Sequence, residues 1–146
     1  MKLNLNLKEK SFGEKMAFLT GILSLVACII FCIYGIVYNR YFDIVIMLCF
    51  LAAGVCSIAY TLFDNRIADY GVWASVILNT YAIGLGVLNS YEVWADWYGG
   101  FTMYGSEGGI GWVLAYLIPA LLACITGIIA CFSKRKKKAA AEEVAA

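Results

Sequence analysis

MAFLTGILSLVACIIFCIYGIVY, residues 16–38, contains no Asp, Glu, Lys or Arg. A helix needs roughly 20 apolar residues to cross a ~30 Å hydrocarbon core, and this run supplies them. Three further runs share the property: residues 44–63, 70–91 and 108–133. Lipid offers the backbone no water, so each run must satisfy its own N–H and C=O groups as a helix. The expected fold is all-α: a polytopic membrane protein built as a four-helix antiparallel transmembrane bundle. Short breaks between the runs make consecutive helices antiparallel neighbours.

Composition agrees. Hydrophobic residues make up 63% of the chain and charged residues 14%. A soluble domain carries about 25% charged residues, so this chain lacks the means to clothe a wet surface. Residues outside the four runs are too few to fold alone, so residues 1–146 are read as one membrane domain. The first run is too long for a signal-peptide core and ends in Val37-Tyr38-Asn39-Arg40 without a small-residue cleavage pattern. It is read as a retained helix.

Charge sets the expected orientation. Lys2, Lys8, Lys10 and Lys15 precede the first run, and Lys134, Arg135, Lys136, Lys137 and Lys138 follow the last. Only Arg40 and Arg66 lie elsewhere. Cations near span ends mark the cytoplasmic side, so both termini are expected there. Residues 1–15 and 139–146 are expected to be frayed, or helical and solvated. The basic run after the fourth span is expected to touch lipid headgroups, each cation contributing about 1 kcal/mol near an anionic leaflet. It does not read as a nucleic-acid site, because it abuts a span.

Small residues at 3/4 spacing mark one face on each helix. These are Gly21, Ser24, Cys28, Cys32 and Gly35; Cys49, Ala53, Cys56 and Tyr60; Ser75, Asn79, Ala82, Gly86 and Asn89; and Ala120, Ala123, Gly127 and Ala130, with Cys124 and Cys131 beside them. In lipid such faces let helices approach closely. A second reading makes the most polar set a pore lining: Ser75, Asn79, Thr80 and Asn89. Pro119 frees a carbonyl in the fourth helix, and Asn79 or Tyr81 is expected to face that point.

Residues 92–107 form the expected outer loop. Its opening, Tyr91-Glu92-Val93-Trp94-Ala95-Asp96-Trp97-Tyr98, places Tyr91, Trp94, Trp97 and Tyr98 on one helical face and Glu92 and Asp96 on another. Phe101 and Tyr104 extend the aromatic set. Rings of this kind form an interfacial belt or a docking surface for a partner.

Several chemistries find no footing. The chain has no His, so no Ser-His-Asp set exists. Proton relays and ion-coupled transporters place ionisable groups inside the membrane, and the four runs hold none. All six Cys lie within the runs, where Cys also serves as a small packing residue. Thiols favour soft ions such as Cu(I), but no His or Met cluster joins them. No metal or cofactor is expected, and no enzymatic activity.

Claudin-like proteins and tetraspanins share the four-span plan, but the first carry Trp…Cys…Cys in an outer loop that is here a turn. The second carry a Cys-rich loop where this chain has no Cys. The outer loop also lacks an Asn-x-Ser/Thr sequon, which favours a bacterial cytoplasmic membrane. The expected function is an interaction or accessory module that binds itself or another membrane protein. The alternative is an oligomeric channel or passive conduit for water or small neutral solutes.

Overall fold

A computed structural model describes residues 10–37, 42–63, 68–100 and 109–133. Its helices are α1 (Phe12–Val37), α2 (Ile44–Leu62), α3 (Gly71–Asn89), α4 (Tyr91–Gly99) and α5 (Gly109–Phe132), with a 3₁₀ turn at Ala68–Tyr70 leading into α3. Four of the helices are long and apolar enough to span a membrane. They pack as an all-α, four-span bundle in which α1 and α3 each lie between α2 and α5.

Cross-helix contacts give the register. Along α1 and α2, Thr61 meets Glu14, Ser57 meets Ala17, Gly21 meets Gly54, and Cys28 meets Met47. Numbers rise on one helix as they fall on the other, so the pair is antiparallel. Contacts of Val76 with Gly127, Thr80 with Cys124 and Gly86 with Tyr116 make α3 and α5 antiparallel too.

The outside of the bundle is apolar. Ile22, Ile29, Leu48, Leu51, Val55, Ile77, Leu121 and Ile125 all face outward. In water this pattern would be untenable. In lipid it costs nothing, because the surroundings are as apolar as the side chains. The inside changes character along the axis. Toward the chain termini it holds Ala17, Thr20, Ser24, Ser57, Ala123 and Ala130. Toward α4 it holds Phe31, Tyr34, Phe50 and Tyr116.

The small faces read from the sequence do turn inward. Gly21, Ser24, Cys28, Gly35, Cys49, Ala53, Tyr60, Ser75, Asn79, Ala82, Gly86, Ala120, Ala123, Cys124, Gly127 and Ala130 are buried. Cys32, Cys56 and Cys131 are half-buried, and Asn89 is exposed. Between α1 and α2 a close approach falls at Gly21 and Gly54. A Cβ on Gly21 would stand 3.1 Å from the Gly54 carbonyl oxygen, and one on Gly54 would stand 3.2 Å from the Gly21 carbonyl oxygen. The two backbones touch with no side chain between them.

The start of α1 departs from expectation. The helix begins at Phe12 rather than at residue 16, so Glu14 lies in its first turn. Glu14 was expected in a solvated segment but is only 5% exposed. The cause is a capping box in Ser11-Phe12-Gly13-Glu14. Ser11 N–H donates to Glu14 Oε2 at 2.8 Å, and Glu14 N–H donates to Ser11 Oγ at 3.3 Å. A carboxylate at a helix N-terminus also suits the helix dipole. Lys10 Nζ donates to the Thr61 carbonyl, which straps the same turn to the end of α2. Ser11→Ala is expected to lower stability by about 1 kcal/mol, read as a lower midpoint in a detergent unfolding titration. An unmoved midpoint would show that the cap is not holding the turn.

The other boundaries lie close to those expected. Asp43 caps α2 by accepting from Val45 N–H at 2.8 Å. The third run, expected to continue through residue 91, is divided at Ser90, where φ is −93° and ψ is 14°. There the chain bends from α3 into α4. Gly100 ends α4 with φ of +63°, a left-handed conformation that glycine adopts without a Cβ penalty. Pro119 sits inside α5, which runs through it unbroken.

Candidate interaction surface at the α3–α4 corner

The corner is built around one carbonyl. Gly86 O accepts from Ser90 N–H at 3.1 Å, from Ser90 Oγ at 2.7 Å and from the Tyr116 hydroxyl at 3.2 Å. Ser90 Oγ in turn accepts from Trp94 Nε1 at 3.0 Å. A chain of hydrogen bonds therefore runs from α4 through the bend into α5. Ser90 is only 1% exposed, so these bonds form away from solvent and hold their full strength.

This chain sorts the aromatic residues of α4. Trp94 is half-buried and packs against the aromatic half of the core. Val93 is buried and lies against the start of α5 at Gly109. Tyr91, Trp97 and Tyr98 remain 67%, 55% and 81% exposed. The sequence reading placed all four rings on one face with Glu92 and Asp96 turned away. The structure instead makes Val93 and Trp94 the anchors and leaves three rings outward, while Glu92 and Asp96 are half-buried. Trp97 bridges the two groups edge-on, its ring centre 6.2 Å from Trp94 and 5.1 Å from Tyr98. Val93 was missed because a lone aliphatic between aromatic residues gives no periodic signal. Phe101 and Tyr104 lie outside the described residues, as do Lys134, Arg135, Lys136, Lys137 and Lys138.

The polar set of α3 divides. Ser75 and Asn79 are fully buried at the centre of the bundle. Asn79 Nδ2 donates to Ser24 Oγ of α1 at 2.8 Å, and Ser24 Oγ lies 3.1 Å from Asn79 Oδ1. The amide thus reaches across the bundle diagonal rather than toward Pro119, and Tyr81 is 55% exposed on the outer face. The expected Asn79 or Tyr81 contact with the Pro119 region is therefore replaced by the Ser24 pair. Thr80 faces outward, bonded to the Val76 carbonyl at 2.8 Å and 3.6 Å from Cys124 Sγ. Asn89 is exposed at the α4 end and donates to Asp43 Oδ2 at 2.8 Å. Within one copy of the chain, Ser75 and Asn79 therefore face inward while Thr80 and Asn89 face outward.

Asp43 and Asn89 also border an open cleft of about 880 Å³, together with Phe42, Ile44, Leu88, Tyr91 and Glu92. Both Asp43 oxygens are committed, one to the α2 cap and one to Asn89. A second polar link was not foreseen: Thr20 of α1 and Thr126 of α5 stand 2.8 Å apart. The six Cys are free thiols. Among the described residues no three His, Cys, Asp or Glu stand close enough to hold a metal ion.

The outer face of α3 completes the surface. Trp73, Ile77, Thr80, Tyr81 and Gly84 all point away from the bundle. A Cβ added at Gly84 would meet nothing within 4 Å. The span Ala68–Asn89 is the least apolar of the four, and it is also the least covered. Of its most apolar window 28% is buried, against 39%, 39% and 44% in the others. Comparison of the chain with known protein families, with characterised proteins and with solved structures yields no match.

Proposed function

We propose that this four-span protein is a non-enzymatic interaction module that binds itself or another membrane protein through the outer face of α3 and the exposed rings of α4. It sits in a bacterial cytoplasmic membrane with both termini cytoplasmic and α4 outside. One observation carries the reading. The span with the lowest mean hydropathy is also the least covered by the others, and Thr80, Tyr81 and Gly84 lie on its uncovered face. A partner helix on α3 covers that face, because Thr80 and Gly84, four residues apart, let a second backbone approach closely.

The aromatic corner extends the same surface. Tyr and Trp are the residues that most often anchor interfaces, and a rigid mount raises their value. The hydrogen bonds at Ser90 supply that mount. The alternative is an oligomeric conduit for water or small neutral solutes, and of its four polar residues Thr80 and Asn89 lie on the surface of one copy while Ser75 and Asn79 lie inside it.

A photoreactive side chain placed at Tyr81 should form protein adducts in intact membranes. The same group at Ile125, exposed on α5, should give lipid adducts. Gly84→Leu should suppress the Tyr81 adduct with little loss of stability, because the first atom of the added side chain meets nothing within 4 Å. Equal protein yields from both helices, or lipid adducts alone from Tyr81, would reject the proposal. The adduct's mass tells a second copy from a different protein.

A further inference from the structure

Ser75 stands apart from the other Ser and Thr of the four spans, whose hydroxyls each reach a backbone carbonyl. Thr20, Ser24, Thr61, Thr80 and Thr126 each donate to the carbonyl four residues earlier, and Ser57 donates across to Ala17 at 2.7 Å. Ser75 is 0% exposed, yet its Oγ has no hydrogen-bond partner among the described residues. A buried hydroxyl left bare is costly, which is why such groups are nearly always paired.

One helical turn along the same face stands Asn79, also 0% exposed. Its side chain carries two N–H donors and a carbonyl with two lone pairs. Ser24 takes one N–H, at 2.8 Å. Ser24 has a single O–H to give, and both Asn79 Oδ1 at 3.1 Å and the Thr20 carbonyl at 2.9 Å stand within its reach. Asn79 therefore keeps a second N–H and at least one lone pair. Residues four apart on a helix place their Cβ atoms about 5–6 Å apart. That separation suits two hydrogen bonds of ordinary length through one intervening oxygen.

We propose that a single water molecule is bound at the centre of the bundle between Ser75 Oγ and the side-chain amide of Asn79. It takes up the unused capacity of both groups and extends the Ser24–Asn79 pair into a three-membered polar link. Buried waters of this kind make about three hydrogen bonds to groups that would otherwise go unpaired. The site is independent of the α3 outer face, because Ser75 points the opposite way.

Two measurements on the full chain in lipid nanodiscs test it. Water-to-amide magnetisation transfer should reach the Asn79 side-chain N–H protons in the parent protein and be lost in Ser75→Ala. Ser75→Ala should also lower the unfolding midpoint by about 2–4 °C, the shift expected when a bonded group is lost from a chain near this size. A dry, orphaned hydroxyl predicts the reverse, because removing it relieves an unpaired group. A raised or unchanged midpoint, or no transfer to Asn79 in the parent, would overturn the site.

Discussion

Replacing Gly21 by leucine is expected to destabilise the bundle by about 3 kcal/mol, the upper part of the range for overpacked cores. The reason is the bare contact between α1 and α2. The first atom of the new side chain would stand 2.6 Å from Ile58 Cγ1, 3.1 Å from the Gly54 oxygen and 3.3 Å from the Ile58 nitrogen. Two of the three are backbone atoms, which no change of rotamer can move. The helices must separate, and the losses then spread along the seam to the Ser57–Ala17 and Thr61–Glu14 bonds. The buried thiols of Cys28, Cys49 and Cys124 report the outcome. Their labelling by a maleimide dye in detergent should begin at a lower temperature in Gly21→Leu than in the parent. Gly84→Leu is the control, since it adds the same side chain at a point where its first atom meets nothing within 4 Å. Equal shifts in the two variants would mean that glycine acts through helix propensity alone, and the close approach would lose its role.

Most of this fold was legible in the residues, and the exceptions have identifiable causes. The charge-free runs located all four spans, because lipid leaves a backbone few choices. The same criterion misplaced the start of α1. Counting stops at Lys15, whereas the helix is initiated by Ser11 and Glu14, whose S-x-x-E spacing was available to be read. Inward faces were found because 3/4 spacing survives in lipid as it does in water. Asn89 shows where that signal ends: it continues the stripe numerically, but lies beyond the last turn that α2 covers and bonds to Asp43 instead.

Pairings across the bundle were not legible. Ser24 and Asn79 each stood out as polar groups on inward faces, but their meeting depends on helix order and on axial register. The α3–α5 register shows why Pro119 was the wrong partner. Thr80 lies opposite Cys124 and Gly86 opposite Tyr116. Pro119 falls between those levels, displaced along the axis from Asn79. The aromatic corner was half legible. Its composition announced an interface segment, but which rings face outward follows from Val93 and from the Ser90 hydrogen bonds, and neither leaves a pattern in the sequence.

Tyr116→Ala is expected to cost about 2–4 kcal/mol, the packing and cavity part of a large aromatic truncation in a core. Transfer from water contributes little here, because unfolding within lipid or detergent leaves the side chain in apolar surroundings. The cost arises from lost packing. The Tyr116 ring lies 5.3 Å from Phe31, 5.9 Å from Tyr34 and 6.5 Å from Phe50, centre to centre, at mostly edge-on angles that favour aromatic pairs. It belongs to α5 and meets rings from α1 and α2, while its hydroxyl reaches Gly86 of α3. One side chain thus joins all four spans. Tyr116→Phe keeps the ring and removes only that hydroxyl, and should cost about 1 kcal/mol. The two variants separate packing from hydrogen bonding. Trp94 gives a local readout: its indole N–H joins the network on the Gly86 oxygen, so its fluorescence should shift strongly in the alanine variant and weakly in phenylalanine. If alanine and phenylalanine prove equally mild, the rings only fill space, and the α3–α4 corner must be held by Ser90 alone.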